Sequence, residues 1–203
     1  MNTIAHKDIL SAHTERFACK SFKKESKITD KDLRFILEIA RLSPSSIGLE
    51  PWKFLVIKDK QLREKLRPSC WDQKQITEAS DLIAILSRTK KSLFEHNYIK
   101  EHFIARDKEY ARYIDFINTL PNIDEWTKRQ CYIALANIMS SAKMIGIDSC
   151  AIEGFNSSKE IAEILDIDTE QFDVAVMVTL GYRDMPITPK SRLEFDTVVQ
   201  MLT

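Results

Sequence analysis

Three apolar runs limit what this chain can fold into: residues 54–57, 81–86 and 172–180. The first two are of strand length and do not alternate polar with apolar. Each therefore reads as a buried strand covered on both faces. The third reads as a strong strand closed by Gly181, and a shorter one is expected at 149–152. Helical patterns fill the intervals. Residues 4–14 carry Ile4, Ile9 and Leu10 on a short amphipathic helix. Thr29 with Asp32 forms a capping box opening a helix whose apolar face is Leu33, Ile36, Leu37, Ala40 and Leu42, stopped by Pro44. A short charged helix spans 60–67, ended by Pro68. Residues 126–145 are nearly apolar all round in their second half, which predicts a buried central helix with Gly146 as its C′ residue. Ser157 with Glu160 is a second capping box, for a helix reaching about Leu165. No repeat or linker divides the chain, so residues 1–203 are expected to form one domain.

Charge and motif content exclude several functions. Thirty Lys and Arg balance thirty Asp and Glu, which argues against a general nucleic-acid or membrane-surface binder. No run has the length of a membrane-spanning helix, and the N-terminus lacks a signal-peptide apolar region. The four cysteines form no C-x-x-C pair, so they read as reduced, mostly buried thiols of a cytoplasmic protein. No histidine pair has metal-ligand spacing, and no metal site is expected. G-x-S-x-G, P-loop, H-E-x-x-H and G-x-G-x-x-G motifs are all absent. With only four glycines, a bound phosphate would have to be held mainly by side-chain cations, for which Arg16, Lys20, Lys190 and Arg192 are the candidates.

Four stretches carry possible ligand chemistry. If residues 16–20 are extended, Arg16, Ala18 and Lys20 face one way and Phe17 and Cys19 the other, so two cations share a face. This is either an anion grip or a solvated basic surface. Residues 42–52 combine two prolines, a glycine, three serines and Trp52 between a helix and a strand. Such a segment holds one irregular path, either to serve a polar ligand or merely to connect. Residues 69–76 are amide-rich, suited to a heterocycle edge or to a solvated helix start. Residues 91–118 scatter Phe94, Tyr98, Phe103, Tyr110, Tyr113 and Phe116 among charges, as one or two helices that form a lid or simply pack. Residue chemistry alone gives an α/β domain with an anion site.

Four blocks in order resemble motifs of the nitroreductase family of FMN-dependent NAD(P)H oxidoreductases. They are R-F-A-C-K at 16–20, P-S-S-I-G-L-E-P-W at 44–52, A-I-E-G-F at 151–155 and P-K-S-R-L at 189–193, with a looser W-D-Q-K-Q-I-T-E-A-S at 71–80. The resemblance implies an α+β fold, with a central, mostly antiparallel sheet flanked by helices, in an intertwined homodimer. Residues from about 193 to 203 would extend onto the partner subunit. Arg16, Lys190 and Arg192 would hold the FMN phosphate, and Lys20 would lie near the pyrimidine edge of the flavin. Pro44, Ser45 and Ser46 would reach the partner's flavin, and Asp72 and Gln75 would contact the ring or ribityl chain. The backbone of Ile152, Glu153 and Gly154 would approach flavin N5. Three positions depart from the family pattern. Ala18 stands where some relatives have serine, leaving a backbone contact; Asp72 often appears as asparagine; Ala151 replaces a frequent proline.

The implied chemistry takes a hydride from NADH or NADPH to the flavin and passes electrons to a small electron-poor acceptor such as a nitroaromatic or quinone. No catalytic side chain is required. Flavin or pteridine reduction, dehalogenation and non-turnover flavin binding are the alternatives.

Overall fold

A computed structural model describes residues 3–104 and 110–202. The elements in chain order are α1 (His6–Glu15), α2 (Asp30–Arg41), β1 (Trp52–Ile57), α3 (Lys60–Ser69), α4 (Gln75–Glu78), β2 (Asp81–Arg88), α5 (Lys90–Phe94), α6 (Tyr98–Ile104), α7 (Tyr110–Asn118), α8 (Ile123–Met144), β3 (Asp148–Ile152), α9 (Ser158–Ile164), β4 (Phe172–Gly181) and α10 (Phe195–Val198). The strands form one sheet in the order β1-β2-β4-β3, and every neighbouring pair is antiparallel. The architecture is the expected α+β fold.

The unbroken apolar runs have the expected cause. Along β2, Ile83 and Ile85 point to a core shared with α2 and α8, while Leu82, Ala84 and Leu86 point to a second core shared with α3 and α9. Successive strand residues face opposite sides, so a sheet sandwiched between helix layers needs apolar residues at every position. The expectation fails for β1. It is an edge strand with one neighbour, and Phe54, Leu55 and Val56 are only half-buried.

Side-chain caps fix the helix ends. The Asp32 amide donates to Thr29 Oγ1 at 3.1 Å, and the Glu160 amide to Ser157 Oγ at 3.1 Å. After α8, Gly146 (φ +81°) donates to the Lys143 carbonyl and Ile147 to the Ala142 carbonyl, a Schellman turn that passes directly into β3. Pro68 does not end α3 but lies in its last turn, one residue before the helix ends at Ser69. Leu42 is exposed beyond the end of α2, and α1 buries none of its side chains.

Among the described residues, 90–94, 98–104 and 110–118 are helical, with residues 105–109 and the Tyr110 side chain outside the described set. The aromatics here pack together. Phe103 stacks on Tyr113 at 4.4 Å between centroids, within a small core that includes Leu93, Ile99, Ile117 and Trp126.

Candidate functional site

Residues 16–22 run extended along the outer edge of β3. Ala18 pairs with Ser149 in a parallel bridge, and the Cys19 amide donates to the Ser149 carbonyl at 3.1 Å. Phe22 then bridges Arg183. Cys19 is buried, so alternation turns its neighbours Ala18 and Lys20 outward, and both are exposed; Phe22 is buried in turn after the alternation breaks. From the other end of the chain, residues 188–192 return to this segment. Together they line a cavity of about 420 Å³ bearing Arg16, Lys190 and Arg192, with Phe17 and Pro189 as apolar walls. The Lys190 ammonium donates to the Arg16 carbonyl. Burial, and then the positive charges of Arg16 and Arg192, draw Lys190 below the ordinary lysine range. None of the three cations has an acidic partner among the described ion pairs, so the cavity is set up for an anion.

A second group lies at the far end of β3. The Lys20 ammonium reaches Cys150 Sγ at 3.2 Å, and the buried Gln75 amide stands 4.0 Å from the same sulfur. Gln75 also donates to Gln73 Oε1 at 2.9 Å, and Gln73 Nε2 donates to the Gly154 carbonyl at 2.8 Å. Trp71, 66% exposed, lies over Gly154, where a Cβ would sit 2.6 Å from its ring. Tyr132 of α8 donates to Glu153 Oε1 at 2.5 Å; burial first, and then this hydrogen bond and the Glu153 charge, push the tyrosine above its ordinary range. Ile152 is buried in the second core, shared with α3 and α9. Lys20, Gln75, Ile152, Glu153 and Gly154 are thus brought together around one loop.

Asp72 stands apart from them. Trp71 and Asp72 both adopt positive φ, 54° and 53°, and this turns the Asp72 carboxylate toward Arg67, 3.8 Å away and largely in solvent. Pro44, Ser45 and Ser46 are likewise elsewhere, held on α8 and α6. The Ser46 amide donates to Gln130 Oε1 at 2.9 Å, and Ser45 Oγ accepts from the Glu50 amide at 2.8 Å. Tyr98 Oη donates toward the Leu49 and Glu50 carbonyls, and His102 Nε2 meets the Gly48 carbonyl at 2.8 Å. Ile47 is held at φ 55°, a conformation unfavourable for a β-branched residue, so the path is indeed irregular. No described hydrogen bond or ion pair joins this loop to the cation cavity.

Sequence reasoning missed Tyr132, Cys150 and Arg63. Tyr132 looked like one more apolar position of α8, and Cys150 like an ordinary buried thiol. Arg63 read only as one residue of a short charged helix. It is buried and donates to the carbonyls of Ile76, Ala79 and Ser80 at 2.7, 2.7 and 3.1 Å, fixing the turn that carries Gln75.

A sequence model described as the nitroreductase family matches residues 14–182. A Bacillus subtilis protein provisionally named NAD(P)H nitroreductase YfkO is 39% identical, over 95% of this chain and 96% of its own. A Staphylococcus epidermidis protein, also provisionally named an NAD(P)H nitroreductase, is 40% identical over 96% of each. Among solved structures, a nitroreductase-like protein of Streptococcus mutans superposes with a TM-score of 0.85 at 17% identity, over 98% of this chain and all of that one. An Exiguobacterium sibiricum protein, provisionally described as a nitroreductase and crystallised in complex with FMN, superposes with a TM-score of 0.78 at 20% identity, over 100% of this chain and 99% of that one.

Proposed function

The chain belongs to the nitroreductase family, and we propose that it works as an FMN-dependent NAD(P)H oxidoreductase acting on small electron-poor acceptors such as nitroaromatics or quinones. The observation that carries this reading is the convergence of Arg16, Lys190 and Arg192, from opposite ends of the chain, on one cavity. Three cations without acidic partners fit a phosphate dianion, and arginine can meet it with two parallel hydrogen bonds. Gly154, where a Cβ would clash, fits the close approach of a ring to backbone.

FMN bound here would supply the two-electron carrier between the nicotinamide donor and the acceptor. The chain's residues do the rest. Arg16, Lys190 and Arg192 hold the phosphate, and Ala18 offers backbone only. Lys20 places positive charge where the reduced ring becomes negative, an electrostatic stabilisation set in place before reaction. Gln73, Gln75 and the Glu153–Gly154 backbone shape the ring's surroundings. Asp72 would contact the ring or ribityl chain only after leaving Arg67. No side chain needs to act as a nucleophile.

We further propose a single-domain homodimer. Leu193, Phe195, Val198, Met201 and Leu202 are all more than 60% exposed, an apolar tail that a second copy would cover. Pro44, Ser45 and Ser46 would then join the partner's cavity, which accounts for their separation from the cations of their own chain. No described helix is long and apolar enough to cross a membrane, and the four free buried cysteines favour a reducing, cytoplasmic setting.

The test is an absorbance spectrum of the purified protein, followed by NADH and NADPH titration under nitrogen. A yellow protein that bleaches with either donor and recovers with a quinone supports the reading. Yellow protein that neither donor bleaches would be a flavin carrier, and colourless protein that ignores added FMN would end the proposal.

A further inference from the structure

Lys20 is oriented by an unusual partner. Its ammonium meets the Cys150 sulfur at 3.2 Å, and no carboxylate pairs with it among the described residues. The thiol is itself fixed. Its proton points to the Ala151 carbonyl at 3.3 Å, the Thr179 hydroxyl donates to the Cys150 carbonyl at 3.3 Å, and the Gln75 amide flanks the sulfur. The sulfur lone pairs are therefore left facing Lys20.

A lysine on a flexible four-carbon stem loses much rotamer freedom when its head is held. A carboxylate could hold it, but would cancel most of its field. An apolar side chain would leave the charge intact and the head free to turn into water. A neutral sulfur acceptor restrains the ammonium and leaves the charge in place.

We propose that Cys150 is a positioning residue for Lys20, holding the ammonium toward the ring edge without neutralising it and thereby raising the reduction potential of bound FMN. The proposal rests on the reading above that Lys20 faces the flavin. Cys150 stays chemically unchanged throughout.

The test uses the FMN-loaded protein and dye-equilibrated reductive titration on five forms: the parent, Lys20→Met, Cys150→Ala, Cys150→Ser and the Lys20→Met/Cys150→Ala double variant. Lys20→Met should shift the reduction equilibrium at least tenfold toward oxidised flavin, which is about 30 mV for two electrons. Cys150→Ala should shift it about threefold in the same direction. Cys150→Ser, which keeps a neutral acceptor, should stay closer to the parent than Cys150→Ala does. The double variant should match Lys20→Met, because the thiol acts only through the ammonium. Cys150→Val replaces the alanine variant if that one does not fold.

A parental potential in Cys150→Ala beside a lowered one in Lys20→Met would overturn the proposal and leave the cofactor reading intact. So would a double variant showing the sum of both shifts. An unchanged potential in FMN-loaded Lys20→Met would instead overturn the placement of Lys20.

Discussion

The Trp71 indole lies so close over Gly154 that a single methyl on the glycine would fall 2.6 Å from Cε3 and 2.7 Å from Cζ3. Trp71 is exposed and can swing outward, so Gly154→Ala should cost about 1 kcal/mol or less in urea unfolding. It should nonetheless lower kcat/KM several-fold, because the ring and the loop carbonyl held by Gln73 are both displaced. Adding Trp71→Ala removes the clash. If the clash is the cause, the double variant regains much of the loss; if it does not, the glycine matters for another reason.

Arg192→Ala should weaken FMN binding at least tenfold, since a charge-assisted hydrogen bond contributes about 1.5–3 kcal/mol. Lys23→Ala should leave it unchanged, because Lys23 joins the structure through its backbone amide to the Tyr182 carbonyl. Fluorescence titration with FMN reads both. Equal affinities would remove the tail from the site.

Asp148, 3% exposed, lies between two cations, Lys143 at 3.2 Å and Arg183 at 3.2 Å. Lys143 is also buried, and its other partner, Glu15 at 3.6 Å, is half-exposed, so Asp148→Asn leaves the ammonium with only a weaker, solvent-screened counter-charge. A loss of about 3–5 kcal/mol in unfolding free energy is expected. A loss below 1 kcal/mol would mean that water reaches Lys143.

Burial pushes three thiols above the ordinary cysteine range, Cys19 to about 11 and Cys70 and Cys131 to about 12. In the unfolded chain they ionise near pH 9 while the folded protein keeps its protons, so stability is full below that pH and falls above it. The expected slope is about 1.4 kcal/mol per pH unit for each thiol, from pH 9 toward 11–12. Urea melts at stepped pH measure it. Substituting all three by alanine should flatten this part of the curve, and an undiminished slope would assign the effect to other groups.

Flavin release should accompany subunit separation. Diluting the holoprotein while following mass by light scattering and flavin by fluorescence should give coincident transitions. A monomer retaining its full complement of FMN would contradict the shared site.

The sequence showed different parts of the molecule to different degrees. The runs that became β2 and β4 were legible because burial on both faces leaves no room for polar alternation. The course of α8 was legible from its apolar second half and Gly146. Edge position was not, since run length says nothing about how many neighbours a strand has, and β1 came out half-buried. Arg63 was missed because charge usually means solvent; nothing local signals that three carbonyls of a later turn will converge on it. The outward set Arg16, Ala18 and Lys20 followed from strand periodicity. That Lys190 and Arg192 meet Arg16 of this set, while Lys20 turns to Cys150, had no local signal, because 174 residues separate Lys190 from the carbonyl it meets. The positive φ values of Ile47 and Trp71 had no residue-level signal, because β-branched and bulky side chains rarely adopt them, whereas aspartate at 72 tolerates one.

The pairing of Ala18 with Ser149 has a consequence beyond ligand binding. β3 is a terminal strand of the sheet, and its outer rim of amides and carbonyls would otherwise be open to any extended peptide. The segment that presents Arg16 and Lys20 also seals that rim. If the cofactor tethers this segment, as proposed, its binding would also protect the protein against self-association into aggregates, linking solubility to flavin occupancy through the backbone pairing of residues 18 and 19 with Ser149.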